Sequence, residues 1–215
     1  MRSVTGRILA AGLLALLFAG CASTPPSSFH TLAPLSQPEA GAVVGKGDFS
    51  LGLGPVTFPV FLDRPQIVSR ASANRLAMDE YQRWGGTLQD DFLRVWSENL
   101  ALLLGTSRIL IFPSEIRYPL DFRIAADILA FEGTADGHAL LKVRWFVLDA
   151  ELDRVLSAHE TAYRRPLSPP GDAEAQLAAL SLALADFSRE VAAVLRTLPK
   201  PGSEPNQSTA NAQSP

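Results

Sequence analysis

Between Phe122 and Arg165 apolar and polar residues take turns along the chain. Phe122, Ile124, Ala126 and Ile128 are spaced by Arg123 and Asp127, and Leu141, Val143, Trp145 and Val147 by Lys142 and Arg144. Successive strand side chains point to opposite faces, so a period of two describes strands with one face on a core and the other toward water or a partner. Asp136-Gly137 is a tight hairpin signal, and a second turn near Glu151–Asp153 leads into "RVLSAHETAYRR". The segment reads as an antiparallel meander, whose apolar face has to be covered by other elements.

Two helical patterns are available to cover it. Thr87 can cap the first, with Asp90 three residues on as its capping-box partner. Leu88, Phe92, Val95, Trp96, Leu100 and Leu103 then recur at helical spacing, and Gly105 can close the helix. The second opens near Asp172 and carries Leu177, Leu180, Leu184, Phe187, Val191, Val194 and Leu198 before Pro199 stops it. Its gaps alternate three and four, as in a coiled coil. The expected use of that stripe is packing across the sheet within one chain; self-association as a homo-oligomer is the alternative. Upstream, "DFSLGLGPVTFPVFL" (48–62) reads as a strand that bends or ends at a sheet edge. "PQIVSR" and "NRLAMDEYQRW" read as a strand pair turning at Ser72–Asn74, and "RILIFP" as a short buried strand. The expectation is a single α+β domain, an antiparallel sheet with two long helices packed on one face.

The ends of the chain say where such a domain works. Arg2 and Arg7 precede an apolar run from Ile8 to Phe18, then Ala19-Gly20 and Cys21, the only cysteine in 215 residues. This is the layout of a secretory signal peptide, with a core too short to span a bilayer permanently. Small residues before the cysteine are similar to the bacterial lipobox, so residues 1–20 read as a lipoprotein signal and Cys21 as an acylated N-terminus, not a catalyst. Residues 21–28 then form a lipidated tether and 29–198 the domain. Residues 199–215 hold Pro, Gly, Ser, Asn and Gln with almost nothing apolar, and read as a disordered tail.

Chemistry is harder to find. His30, His138 and His159 are not at ligand spacing, so no metal site is expected. Ser157 and Ser168 lie near His159 without a nucleophile-elbow context, and no phosphate-cradling loop occurs. Gly52-x-Gly54 is followed by Pro55 and more strand, which excludes a dinucleotide fingerprint. A net charge of −3 gives no basic field for nucleic acid. No cofactor and no enzymatic activity are expected. What remains are two clusters rich in interface residue types: Asp63, Arg64 and Arg70 around a proline turn, and Arg83-Trp84 ahead of the first helix.

The same clusters carry a resemblance. "FHTL", Gly54-Pro55-Val56, Leu62 to Val68 in "LDRPQIV", Arg83-Trp84, Glu98-Asn99-Leu100 and "VRWFVLD", in that order behind a lipoprotein signal, are similar to the PqiC/YmbA-like lipoproteins, the ABC-type transport auxiliary lipoprotein component. Gly85-Gly86 depart from that family, which more often has an acidic residue and proline there. The resemblance implies a non-enzymatic subunit on the periplasmic face of the outer membrane. Its partners would be an MCE-domain protein and inner-membrane permease components that move lipid and maintain the envelope. Asp63, Arg64, Arg70, Arg83 and Trp84 are then the expected partner-binding residues. A lipid-binding carrier and a structural envelope lipoprotein are the alternatives.

Overall fold

The computed structural model describes residues 26–37, 49–151 and 153–199; Cys21, the signal segment and the tail beyond 199 lie outside them. In chain order the elements are β1 (Ser28–His30), β2 (Leu51–Thr57), β3 (Gln66–Ser72), β4 (Arg75–Trp84), α1 (Leu88–Leu104), β5 (Ile109–Ile111), β6 (Phe122–Thr134), β7 (His138–Asp149), β8 (Arg154–Pro166) and α2 (Ala173–Thr197). None of the described helices is long and apolar enough to cross a membrane.

The alternation at 122–165 becomes β6, β7 and β8, paired antiparallel from Phe122↔Asp149 to Gly133↔Ala139 and from His138↔Pro166 to Asp149↔Arg154. β3 and β4 form the expected antiparallel hairpin. The sheet as a whole is mixed, which departs from the antiparallel expectation. β2 and β3 both run parallel to β6, β5 parallel to β2, and β1 parallel to β4. Side-chain alternation reports which face a residue takes but is blind to the direction of the neighbouring strand, so these parallel pairs left no mark in the pattern. The bend expected in 48–62 is a register shift between Leu53 and Val56, around Gly54-Pro55. Gly52 is required by packing: a Cβ there would sit 2.6 Å from Phe112 Cε2.

Both helices start and stop where their caps dictate. Thr87 Oγ1 accepts from the Asp90 amide at 3.1 Å, and Gly105 ends α1 in the left-handed region at φ 66°. Asp172 accepts from the Ala175 amide at 2.7 Å at the head of α2. Their apolar faces meet through rings. Phe187 of α2 stacks on Trp96 of α1 at 5.0 Å and meets the edge of Trp145 on β7 at 5.8 Å. Phe92 of α1 meets Phe131 of β6 at 5.5 Å and Phe58 at 5.3 Å. The α2 stripe is thereby spent inside the chain: Leu177, Leu180, Leu184, Phe187 and Val191 are all buried.

Polar clamps fix the order of elements around these rings. Gln176 donates to Val68 O at 2.9 Å and accepts from Ser69 Oγ at 2.7 Å. It lies so close to β6 that a Cβ on Gly133 would be 2.5 Å from its Oε1. Because Phe187 touches both tryptophans, Phe187→Ala is expected to lower unfolding free energy by about 3–5 kcal/mol, whereas Leu182→Ala on the exposed side of α2 should change it by less than about 0.5 kcal/mol. Urea denaturation of the two variants measures the difference.

Candidate partner-binding surface

β2 and β3 are joined by Phe58–Pro65, and this connection carries the first expected cluster. Leu62 is buried and pins it, while backbone bonds from Leu62 N to Pro59 O, Asp63 N to Val60 O and Arg64 N to Leu62 O fold it tightly. Asp63 is exposed at its apex, and Val60 beside it is 86% exposed, the most exposed large apolar side chain described. Arg64 is half-buried and reaches Met78 on β4. Trp84 N donates to Pro65 O at 2.8 Å, and Gln66 pairs with Arg83. The "LDRPQIV" and Arg83-Trp84 motifs, distant in sequence, are thus neighbours in space.

The remaining expected site residues are placed beneath or beside this turn. Arg70 forms an ion pair with Glu132 of β6, whose side chain is 1% exposed, and its Cζ stands 5.6 Å from the Phe61 ring centroid. Its guanidinium ties the turn to the sheet. Arg83 donates to Glu80 O at 2.9 Å and lies 3.7 Å from the Glu80 carboxylate. Trp84 is buried at 6% exposure and stacks on Phe131 at 6.5 Å, so it serves the core and does not present its ring to a partner in this conformation. Asp63 is the exposed member, while Arg64, Arg70 and Arg83 are each half-buried.

The polar side of the meander continues outward from there. Arg144 and Lys142 both bond Glu160, each at 2.9 Å, and Arg123 bonds Asp153 at 2.6 Å. The Lys142 and Arg144 hydrogen bonds hold the Glu160 carboxyl below its ordinary range. On the opposite side, Ser157 and His159 share the inward alternation of β8, and His159 stacks on Trp145 at 4.3 Å with Nε2 enclosed. That geometry packs the imidazole into the core. Tyr163, next along that side, has its phenol pushed up by burial and by its bond to Glu190. Among the described residues no group of three His, Asp or Glu side chains is placed to hold a metal ion.

Sequence reasoning passed over one arrangement. Ser28, the last residue of the expected tether, already belongs to β1 with Phe29 and His30, and the segment after His30 is clamped by both helices. Leu32 N donates to Asp91 at 2.7 Å, Ala33 N to Ser181 Oγ at 3.0 Å and Leu35 N to Asn99 Oδ1 at 2.8 Å; Arg94 donates to Leu32 O at 2.9 Å. Asn99 is fully buried and also bonds Ser188 of α2 at 3.3 Å. A buried asparagine on an otherwise apolar helix stripe was the available signal, because such a side chain needs a partner. The Phe29–Leu32 and Glu98–Leu100 motifs meet here.

Beside β1 and β4 a groove of about 980 Å³ is lined by Ser28, His30, Asp79, Gln82, Glu174 and Gln176 among others. Its lining mixes these polar side chains with apolar Ile67, Met78, Leu167 and Pro170.

Stability separates the two groups of site residues. Arg70→Met leaves the buried Glu132 carboxylate without its guanidinium and is expected to cost about 2–3 kcal/mol, with a large part recovered in the Arg70→Met/Glu132→Met double variant. Asp63→Lys should stay within about 0.5 kcal/mol. Denaturation midpoints of the three proteins measure both effects.

A family model described as the ABC-type transport auxiliary lipoprotein component matches residues 30–192. Among solved structures, a crystal structure of an uncharacterised protein has a TM-score of 0.64 at 13% identity, covering 80% of this chain and 99% of that one. A Xanthomonas campestris protein of the DUF330 family has a TM-score of 0.60 at 18% identity, covering 76% and 92%. At these identities the two structures establish a shared fold. No curated protein matches the chain.

Proposed function

Because the chain belongs to the ABC-type transport auxiliary lipoprotein component family, we propose that it is a non-enzymatic subunit of an envelope lipid-transport system, anchored through Cys21 on the periplasmic face of the outer membrane. Its partners in this reading are an MCE-domain protein and the inner-membrane permease components. The family match across residues 30–192 is the observation that carries the proposal; the lone cysteine behind an apolar run adds the anchor.

The physics of the role is simple. Each CH₂ of a lipid tail exposed to water costs about 0.8 kcal/mol, so lipid crossing an aqueous gap needs a shielded path that ends at the receiving membrane. A domain fixed to that membrane by acyl chains captures the end of the path at high effective concentration. Capture falls to two side chains of the Phe58–Pro65 turn, exposed Asp63 and half-buried Arg64, with Arg70 holding the turn in place and Arg83 packed beside it. The charged face of the meander extends the contact.

The test is a charge reversal, Asp63→Lys with Arg64→Glu, in the chromosomal gene. Unchanged protein level, lost co-purification of the MCE-domain partner, and detergent sensitivity matching a deletion strain are the expected outcomes. Undiminished partner capture and envelope resistance would remove the turn from the interface.

A further inference from the structure

The N-terminal chain enters the domain at a fixed point and in a fixed direction. β1 lies parallel to β4, with Ser28 beside Gln82 and His30 beside Trp84, and Gly85 N donates to His30 O at 2.8 Å. The clamps on Leu32, Ala33 and Leu35 prevent this entry point from sliding. β4 begins at Arg75 in the hairpin with β3, so the line of β1, followed backward from Ser28, leads toward that hairpin.

Topology gathers other turns at the same end. β3 runs parallel to β6 with Arg70 beside Thr134, which brings the β6–β7 turn to the level of the hairpin. β8 finishes at Pro166 opposite His138, and α2 starts at Ala173 shortly after. Ser72–Arg75, Ala135–Gly137 and Ser168–Asp172 therefore form one end of the domain. The opposite end holds the C-termini of both helices, where Arg196 donates to Leu103 O at 2.6 Å, and the 112–121 loop with Ile116 67% exposed.

Lengths decide which end can meet a membrane. From Cys21 to Ser28 the chain spans at most about 24 Å fully extended. β4 from Arg75 to Gln82 rises about 23 Å, so the tether only just clears the hairpin. The 25 residues of α2 extend about 37 Å along the domain, and reaching the other end would also require the tether to reverse direction. We propose that the end formed by Ser72–Arg75, Ala135–Gly137 and Ser168–Asp172 rests on the lipid headgroup layer and that the end carrying Ile116 points away from it. The proposal rests on the reading of Cys21 as a lipid anchor.

The chemistry of this end suits contact without insertion. Asn74, Arg75 and Ala135 are exposed, Arg164 pairs with Asp136 and Asp172 caps α2; of the exposed large apolar side chains described, Met78 lines the groove these turns border and none lies in the turns themselves. Arg75 favours anionic headgroups. The neighbouring free edge of β4 presents Asp79 and Glu80 instead, which such a surface repels.

The test uses the full lipidated chain in vesicles of phosphatidylethanolamine and phosphatidylglycerol containing a nitroxide-headgroup lipid. With Cys21 acylated, an introduced cysteine is the only free thiol for a fluorescent label. Quenching several-fold stronger at Asn74→Cys and Ala135→Cys than at Ser107→Cys and Ile116→Cys supports the orientation. Equal quenching at the two ends, or the reverse order, with the protein floating with vesicles, overturns the orientation and leaves the anchor standing. If the chain does not float with vesicles and its N-terminus carries no acyl mass, the anchor reading fails and the orientation fails with it.

Discussion

Strand β6 has two edges, and the domain needs three partners on them. β7 occupies one edge from Phe122 to Gly133. The other is shared: β2 pairs with Phe122–Asp127, and β3 with Gly133–Thr134. β2 and β3 follow one another in the same direction along that edge, and between them the chain leaves the sheet after Thr57 and returns at Gln66. The turn bearing Val60, Asp63 and Arg64 is the product of that detour. Arg70 then secures it by reaching back to Glu132 on β6 and lying over Phe61. The exposed turn and the buried ion pair are two consequences of one shared edge.

A second consequence is polarity along the strands. The ring contacts of Phe187 with Trp96 and Trp145, and of Phe92 with Phe131, bind both helices to β6 and β7. Both helices end near the start of β6, as the Arg196–Leu103 bond shows, while the N-terminal strand enters from the other direction. A domain built this way has two chemically different ends, which is the property a subunit placed between a membrane and a second component requires. The helix clamp on residues 32–35 makes the N-terminal segment part of the folded core instead of a loose appendage.

The parts of this fold with strong local periodicity were readable before the structure. The meander, its Asp136-Gly137 turn and both helix caps follow from period two, period 3.6 and short-range hydrogen bonding, which depend on neighbouring residues alone. The parallel pairing of β2, β3 and β6 was unreadable because it depends on which strand lies alongside, and that is decided by long-range packing. The candidate surface divides the same way. Asp63 is exposed as a proline turn suggests, whereas Trp84, an interface residue type by composition, is drawn under Phe131 by the hairpin between β3 and β4. Asn99 stood in the Glu98–Leu100 motif without a bonding role, because its partners, Leu35 and Ser188, lie far from it in sequence on opposite sides.

Crosslinking in intact cells tests directly whether an anchored domain works in a transport assembly. The tagged lipoprotein and its Cys21→Ser variant would be crosslinked, purified and compared by quantitative mass spectrometry. The expected result is enrichment of an MCE-domain protein with the wild-type chain and a marked loss of that partner when Cys21 is replaced. Recovery of only abundant envelope proteins or copies of the chain itself, unchanged by the substitution, would contradict it.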